Sequence, residues 1–162
     1  MISKSLEQAF NEQVREEMSS FYIYLAMAAY FEANHFGGMA KWMQAQAKEE
    51  MAHAMKFYGQ IMERGGTVVL QALPQPPKEW ASPAAAFTTA LDHERHISKC
   101  IHTLMEKATA EKDFAAIGFL QWFVNEQVEE EAHVEPIVHR LGLIKDNLGA
   151  LFMLDRELGM RQ

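Results

Sequence analysis

Cysteine, proline and glycine are scarce in this 162-residue sequence, and long apolar runs are missing. The single cysteine, Cys100, excludes an internal disulfide, a multi-thiolate zinc cluster and an iron–sulfur cage, and it fits a reducing compartment. No stretch of about 18 apolar residues occurs, so no membrane-spanning helix is expected. The opening MISKSLEQAFNEQ holds no continuous apolar segment of the kind a secretory signal needs, so a cytoplasmic location is expected. Basic residues are outnumbered, 15 against 22 acidic, for a formal net charge of −7. That balance argues against nucleic acid or anionic lipid as a partner. The length suits one domain, residues 1–162, with a core large enough to need no disulfide.

The few glycines and prolines divide the chain. Residues 4–35 hold neither, and Gly37-Gly38 is expected to break the first helix. A second helical run, 39–64, is closed by Gly65-Gly66. Residues 67–82, TVVLQALPQPPKEWAS, carry three prolines and read as an extended crossover. Ser82 as N-cap with Pro83 at the first helical position starts a third helix that runs to about Lys112. Asp113 can cap a fourth that ends near Leu141-Gly142, and residues 146–158 fit a short fifth helix. Two short links make two antiparallel hairpins, and a long helical hairpin cannot bury its apolar face alone. The expected fold class is all-α: a four-helix bundle with one long crossover and a short C-terminal fifth helix.

The apolar stripes contain acids. The first helix reads Leu6, Phe10, Gln13, Glu17, Ser20, Tyr24, Met27, Phe31, and the second reads Met39, Met43, Gln46, Glu50, His53, Phe57. The third reads Phe87, Leu91, Glu94, Ser98, Ile101, Met105, and the fourth reads Leu120, Phe123, Gln127, Glu130, Val134, Ile137, Leu141. Each helix therefore places a glutamate on its inward face near mid-length. Ionised carboxylates in a low-dielectric bundle cost several kcal/mol each and repel one another. No Lys or Arg falls on the stripes at these levels, whereas a cation can supply the missing charge. Oxygen donors with one imidazole suit iron or manganese, and zinc is also compatible.

The spacing brings these groups to one level. Glu17 and Glu50 are 33 residues apart across the first hairpin, as are Glu94 and Gln127 across the second. A second polar group follows three residues later in each, His53 and Glu130, so Glu50-x-x-His53 can chelate. The pattern is that of dinuclear carboxylate bundles. Tyr24, seven residues after Glu17 on the same face, can reach the site. Glu49, Glu126 and Glu129 form either an adjoining acidic cluster or a solvated helix face. His93, His96, His102, His133 and His139 read as surface or structural residues, and Cys100 as buried and inert. Glu130-x-x-His133 breaks the 33-residue symmetry, so His133 is not assigned.

At Glu17, Tyr24, Glu49-Glu50-Met51-x-His53, Glu94 and FLQWFVNEQVEEE (119–131) the sequence resembles bacterial non-haem ferritin. The resemblance extends through LGALFMLDREL (148–158) and covers the chain. It implies a ferritin-like di-iron domain with ferroxidase activity, in which Fe(II) is oxidised by O₂ or H₂O₂ and stored as ferric mineral. Glu17, Glu50 and His53 then correspond to one iron position, and Glu50, Glu94 and Glu130 to the other, with Glu50 bridging. Gln127 corresponds to a hydrogen-bonding neighbour of the second iron. Glu49, Glu126, Glu129 and Glu130 match a nearby third iron site. The resemblance also implies a homo-oligomeric 24-subunit shell. Met51 stands where bacterioferritins carry a haem-ligating methionine, but non-haem ferritins carry Met there too. Bacterioferritins also have E-x-x-H in both hairpins where this chain has Gln127-x-x-Glu130, so a haem-containing bacterioferritin-type subunit stands as the less expected alternative. A non-redox cation in the same bundle is the alternative of a different class.

Overall fold

The computed structural model describes residues 1–161 as five helices, with no strand among them. They are α1 (Lys4–Ala33), α2 (Gly37–Glu63), α3 (Pro83–Ala110), α4 (Phe114–Ile144) and α5 (Leu148–Leu158). No helix among the described residues is long and apolar enough to cross a membrane. Four of the five starts carry a side-chain cap. Ser3, Ser82, Asp113 and Asn147 accept hydrogen bonds from the backbone N–H of Leu6, Ala85, Ala116 and Ala150, each at 3.0–3.1 Å. Pro83 opens α3 as its position predicts.

The first helix ends differently from expectation. The turn lies at Asn34-His35-Phe36, and Gly37-Gly38 belong to the first turn of α2. His35 adopts a left-handed φ of 64°, and Phe36 N–H donates to Phe31 O at 2.9 Å while His35 N–H donates to Glu32 O at 3.1 Å. This is a Schellman closure with histidine in the usual glycine position. Lys112 (φ 54°) closes α3 in the same way, with Asp113 N–H donating to Ala108 O at 2.9 Å. Gly65 (φ 71°) closes α2, as the Gly65-Gly66 pair predicts.

Gly38 has another purpose. A Cβ there would lie 1.7 Å from the carbonyl oxygen of Asp155, so only glycine lets α5 approach the start of α2. The α2 N-cap residue, Phe36, has no side-chain cap of its own. Asp155 on α5 supplies it instead, accepting from Met39 N–H at 2.8 Å.

Helix α1 pairs with α2 and α3 pairs with α4, as two hairpins. The crossover is held near both ends of α1. Asn11 donates to Thr67 O at 3.0 Å and accepts from Val69 N–H at 2.7 Å, and Trp80 packs edge-on against Tyr30 with centroids 5.4 Å apart. Asn11 and Tyr30 are about 28 Å apart along the helix, so the crossover runs most of its length. Helix α4 continues three residues past the expected Leu141 to Ile144, with Pro136 on its exposed face. On α3 the buried positions near the end are Ile101 and Leu104, and the expected Met105 is only half-buried.

The interior is layered. One apolar cluster gathers Met27, Phe31, Met43, Phe87, Val134 and Leu154. The other gathers Phe10, Phe57, Ile61, Ile97, Leu120 and Phe123. Between them lie the buried polar residues of all four long helices, among them Gln13, Glu17, Gln46, Glu50, His53, Glu94, Gln127 and Glu130.

Candidate metal centre

The 3,4 repeat that makes each helix amphipathic also aims its central acid at the bundle axis. Glu17, Glu50, Glu94 and Glu130 are all at most 3% exposed. Donor atoms of Glu17, Glu50 and His53 lie within 4.8 Å of one another, and so do those of Glu50, Glu94 and Glu130. Glu50 belongs to both groups. The structure thus brings together the five residues around which the sequence pattern is built.

Neutral amides and one phenol orient these carboxylates. Gln13 donates to Glu17 Oε1 at 2.8 Å. Gln46 donates to Glu50 Oε1 at 3.2 Å and to Glu130 Oε2 at 2.5 Å. Gln127 donates to both the backbone O and Oε2 of Glu94, each at 3.2 Å, and the Tyr24 hydroxyl donates to Glu94 Oε1. Within this cluster two buried atoms have no hydrogen-bond partner, Glu17 Oε2 and His53 Nδ1. His53 Nδ1 lies 3.4 Å from Glu50 Oε2 without completing a hydrogen bond. Leaving such atoms unpaired costs about 1–3 kcal/mol each, and a shared cation removes that cost.

Electrostatics agree. Burial pushes the Glu17 carboxyl up to about 8, helped by the charge of Glu50. Burial, then the charges of Glu94 and Glu130, hold Glu50 well above the usual carboxylate range. Glu94 rises to about 7 through burial, restrained by its bonds from Tyr24 and Gln127. Glu130 also rises to about 7, through burial and then the charge of Glu94. Burial, then the charges of Glu94 and Glu50, raise Tyr24 well above its ordinary value and keep it a neutral hydrogen-bond donor. A cluster of acids that retains protons at neutral pH exchanges them for a divalent cation.

The adjoining acids are placed unequally. Glu126 is half-buried, with Oε1 3.7 Å from His53 Nε2, and it joins His53 and Glu130 in a third convergent group. Glu49 is exposed and paired at 2.7 Å with Arg161. Glu129 is exposed and belongs to no convergent group among the described residues. His133 and His139 are exposed on α4, and Met51 is half-buried on α2. Cys100 is not the buried residue the sequence suggested: it is half-buried on α3, beside His96.

Three contributors were not assigned from the sequence. Gln13 and Gln46 each precede a site glutamate by four residues on the same face, and they are themselves 33 residues apart. Extending that spacing by one turn would have found them. Arg161 carries no such signal. Its guanidinium lies 4.7 Å from the centre of the Trp42 ring and donates to Gln46 Oε1 at 2.9 Å and to Glu49 Oε2 at 2.7 Å.

Comparison with known proteins gives a consistent result. A family model described as a ferritin-like domain matches residues 7–144. A bacterial non-heme ferritin of Bacteroides fragilis is 42% identical over 161 residues, spanning 99% of this chain and 100% of that protein. One from Staphylococcus aureus is 38% identical over 161 residues, with 99% and 97% covered. Among solved structures, an open-pore ferritin from the hyperthermophilic archaeon Archaeoglobus fulgidus superimposes with a TM-score of 0.99 at 48% identity, covering all of both chains. A humanized archaeal ferritin gives 0.99 at 47% identity, covering 100% of this chain and 98% of that one.

Proposed function

The chain belongs to the ferritin family, and from that premise we propose that it is an iron-storage subunit whose bundle oxidises Fe(II) before the iron is stored. The observation that carries this reading is the buried convergence of Glu17, Glu50, His53, Glu94 and Glu130, with Glu17 Oε2 and His53 Nδ1 left unpartnered. Iron is the substrate here. Glu17, Glu50 and His53 hold one Fe(II), Glu50, Glu94 and Glu130 hold the second, and Glu50 bridges them. Each Fe(II) gives up one electron, and O₂ takes the two electrons with two protons to become H₂O₂; H₂O₂ can serve as oxidant in its turn. Carboxylates favour the harder, more highly charged Fe(III), which supplies driving force.

The remaining residues have supporting roles. Gln127 and Tyr24 hold Glu94, and Gln46 holds Glu50 and Glu130 together. Glu126, beside His53, offers the product a first step outward, with Glu49 and Glu129 beyond it as a third, weaker iron position. Apolar side chains left exposed on the single chain, including Leu25, Val69, Leu70, Phe114 and Phe152, supply surface for a homo-oligomeric shell, in this reading one of 24 subunits.

The test is anaerobic loading with Fe(II) followed by air. Oxidation much faster than that of free iron, saturating near two irons per chain, is expected. No acceleration over free iron overturns the ferroxidase reading and leaves a non-redox cation site.

A further inference from the structure

Glu16 and Glu17 are neighbours in sequence but sit about 100° apart around α1. Glu17 faces the bundle axis, while Glu16 faces a groove between α1 and α3. There its Oε2 lies 2.9 Å from His96 Nε2. The same nitrogen lies 3.6 Å from Cys100 Sγ. His96 and Cys100 are four residues apart on α3 and so share one face. Arg15 holds the other oxygen of Glu16 at 2.5 Å, which fixes the carboxylate with Oε2 turned to the groove.

We propose that Glu16, His96 and Cys100 form a second metal site, distinct from the bundle centre, for a zinc-class divalent cation. Three donor atoms of different hardness lie within 4.8 Å of one another. One imidazole nitrogen faces both a carboxylate oxygen and a sulfur, and a single ring N–H cannot serve both well. A cation at their meeting point engages all three lone pairs. The sulfur–nitrogen spacing is also that of tetrahedral zinc. Zinc–sulfur and zinc–nitrogen bonds of ordinary length at a tetrahedral angle put S and N about 3.6 Å apart, and N and O about 3.3 Å apart. The observed separations are 3.6 and 2.9 Å, so the nitrogen–oxygen pair, now at hydrogen-bond distance, opens by about 0.4 Å when the cation enters. An open cleft of about 270 Å³, lined by Glu16 and Cys100 together with Glu12, Arg15, Thr103 and Lys107, leaves room for a water beside two of the three donors.

The donor set selects against the bundle centre's own substrate. Thiolate and imidazole suit zinc, whereas Fe(II) finds a carboxylate-rich cage a few residues away. Burial, with the charges of Glu16 and Glu17, pushes the Cys100 thiol up to about 11, so without metal the sulfur keeps its proton. On binding, the S–H bond breaks, its proton leaves to solvent and the S–metal bond forms.

The single cysteine makes the test self-assigning. Cobalt(II) is added to the assembled protein carrying Glu50→Ala, which removes the bundle centre. A thiolate-to-cobalt absorption in the near ultraviolet, saturating at one cobalt per chain and displaced by zinc, is expected. Cys100→Ser should abolish it. His96→Ala and Glu16→Gln should each weaken cobalt binding by at least about tenfold. These three residues lie at the surface or only half-buried, and unchanged helical circular dichroism verifies each variant. Absence of the thiolate band, or an affinity unmoved by both His96→Ala and Glu16→Gln, overturns the proposal.

Discussion

Gln46 Nε2 lies 2.5 Å from Glu130 Oε2 and 3.2 Å from Glu50 Oε1, so one neutral amide ties together carboxylates from α2 and α4. Those two acids share the second proposed iron position. Gln46→Leu keeps the volume and removes the tie. We expect Fe(II) oxidation to slow about tenfold with assembly unchanged, measured by stopped-flow absorbance.

Glu50 is common to both convergent groups. Glu50→Ala should lower the rate of fast oxidation by at least about 100-fold. Glu50→Gln, which keeps the volume and removes the buried ionisable group, should make the metal-free protein melt higher than wild type, as read by calorimetry. A variant that oxidises iron at the wild-type rate would end the bridging assignment.

The four acids make apo stability depend on pH, and the sign is opposite to that of ordinary salt-bridged carboxylates. Their folded values, about 8 for Glu17 and about 7 for Glu94 and Glu130, lie above the unfolded value of 4.5. Between these limits the folded state binds more protons than the unfolded one, so stability is full below about 4.5 and is lost as pH rises through 7 to 8. Each group contributes a slope of at most about 1.4 kcal/mol per pH unit. Melting of the metal-free protein between these limits should show the fall, and Glu17→Gln or Glu94→Gln should flatten it.

Arg161 occupies Glu49 and Gln46 together. Arg161→Ala frees Glu49 and should strengthen binding of iron beyond two per chain by several-fold, while the first two bind nearly as before. Isothermal titration under anaerobic conditions separates the classes.

Gly38→Ala would drive a methyl into the Asp155 carbonyl. Helix α5 must shift, at a cost of about 1–3 kcal/mol. Hydrogen exchange should report it as lost protection in residues 148–158 with the main bundle still protected.

The sequence was most legible where one residue type has one job. Ser82-Pro83 and Asp113 mark helix starts because a side-chain oxygen before a run of free N–H groups has few other uses. The acids on apolar stripes were equally plain, since burial makes them costly anywhere but in a polar site. What escaped was set by distant partners. His35 and Lys112, both exposed, end helices in glycine's conformation, which neither residue type signals. Gly37-Gly38 looked like a break, yet Gly38 answers to α5, more than a hundred residues away. Arg161 reaches Gln46 and Glu49 across a similar separation, and the His96–Cys100 pair gains Glu16 only when α3 lies against α1. No local pattern encodes such meetings.

The polar layer between the two apolar clusters also acts as a key. Helices with uniformly apolar stripes could slide past one another by a turn and repack at small cost. Here such a slip would set Glu94 or Glu130 against phenylalanine and strand the amides of Gln46 and Gln127. Neither hairpin alone holds both ligand sets, because Glu17, Glu50 and His53 come from one and Glu94 and Glu130 from the other. Carboxyls that destabilise the empty bundle therefore select the one alignment in which its halves can meet, and a bound cation ratifies that choice.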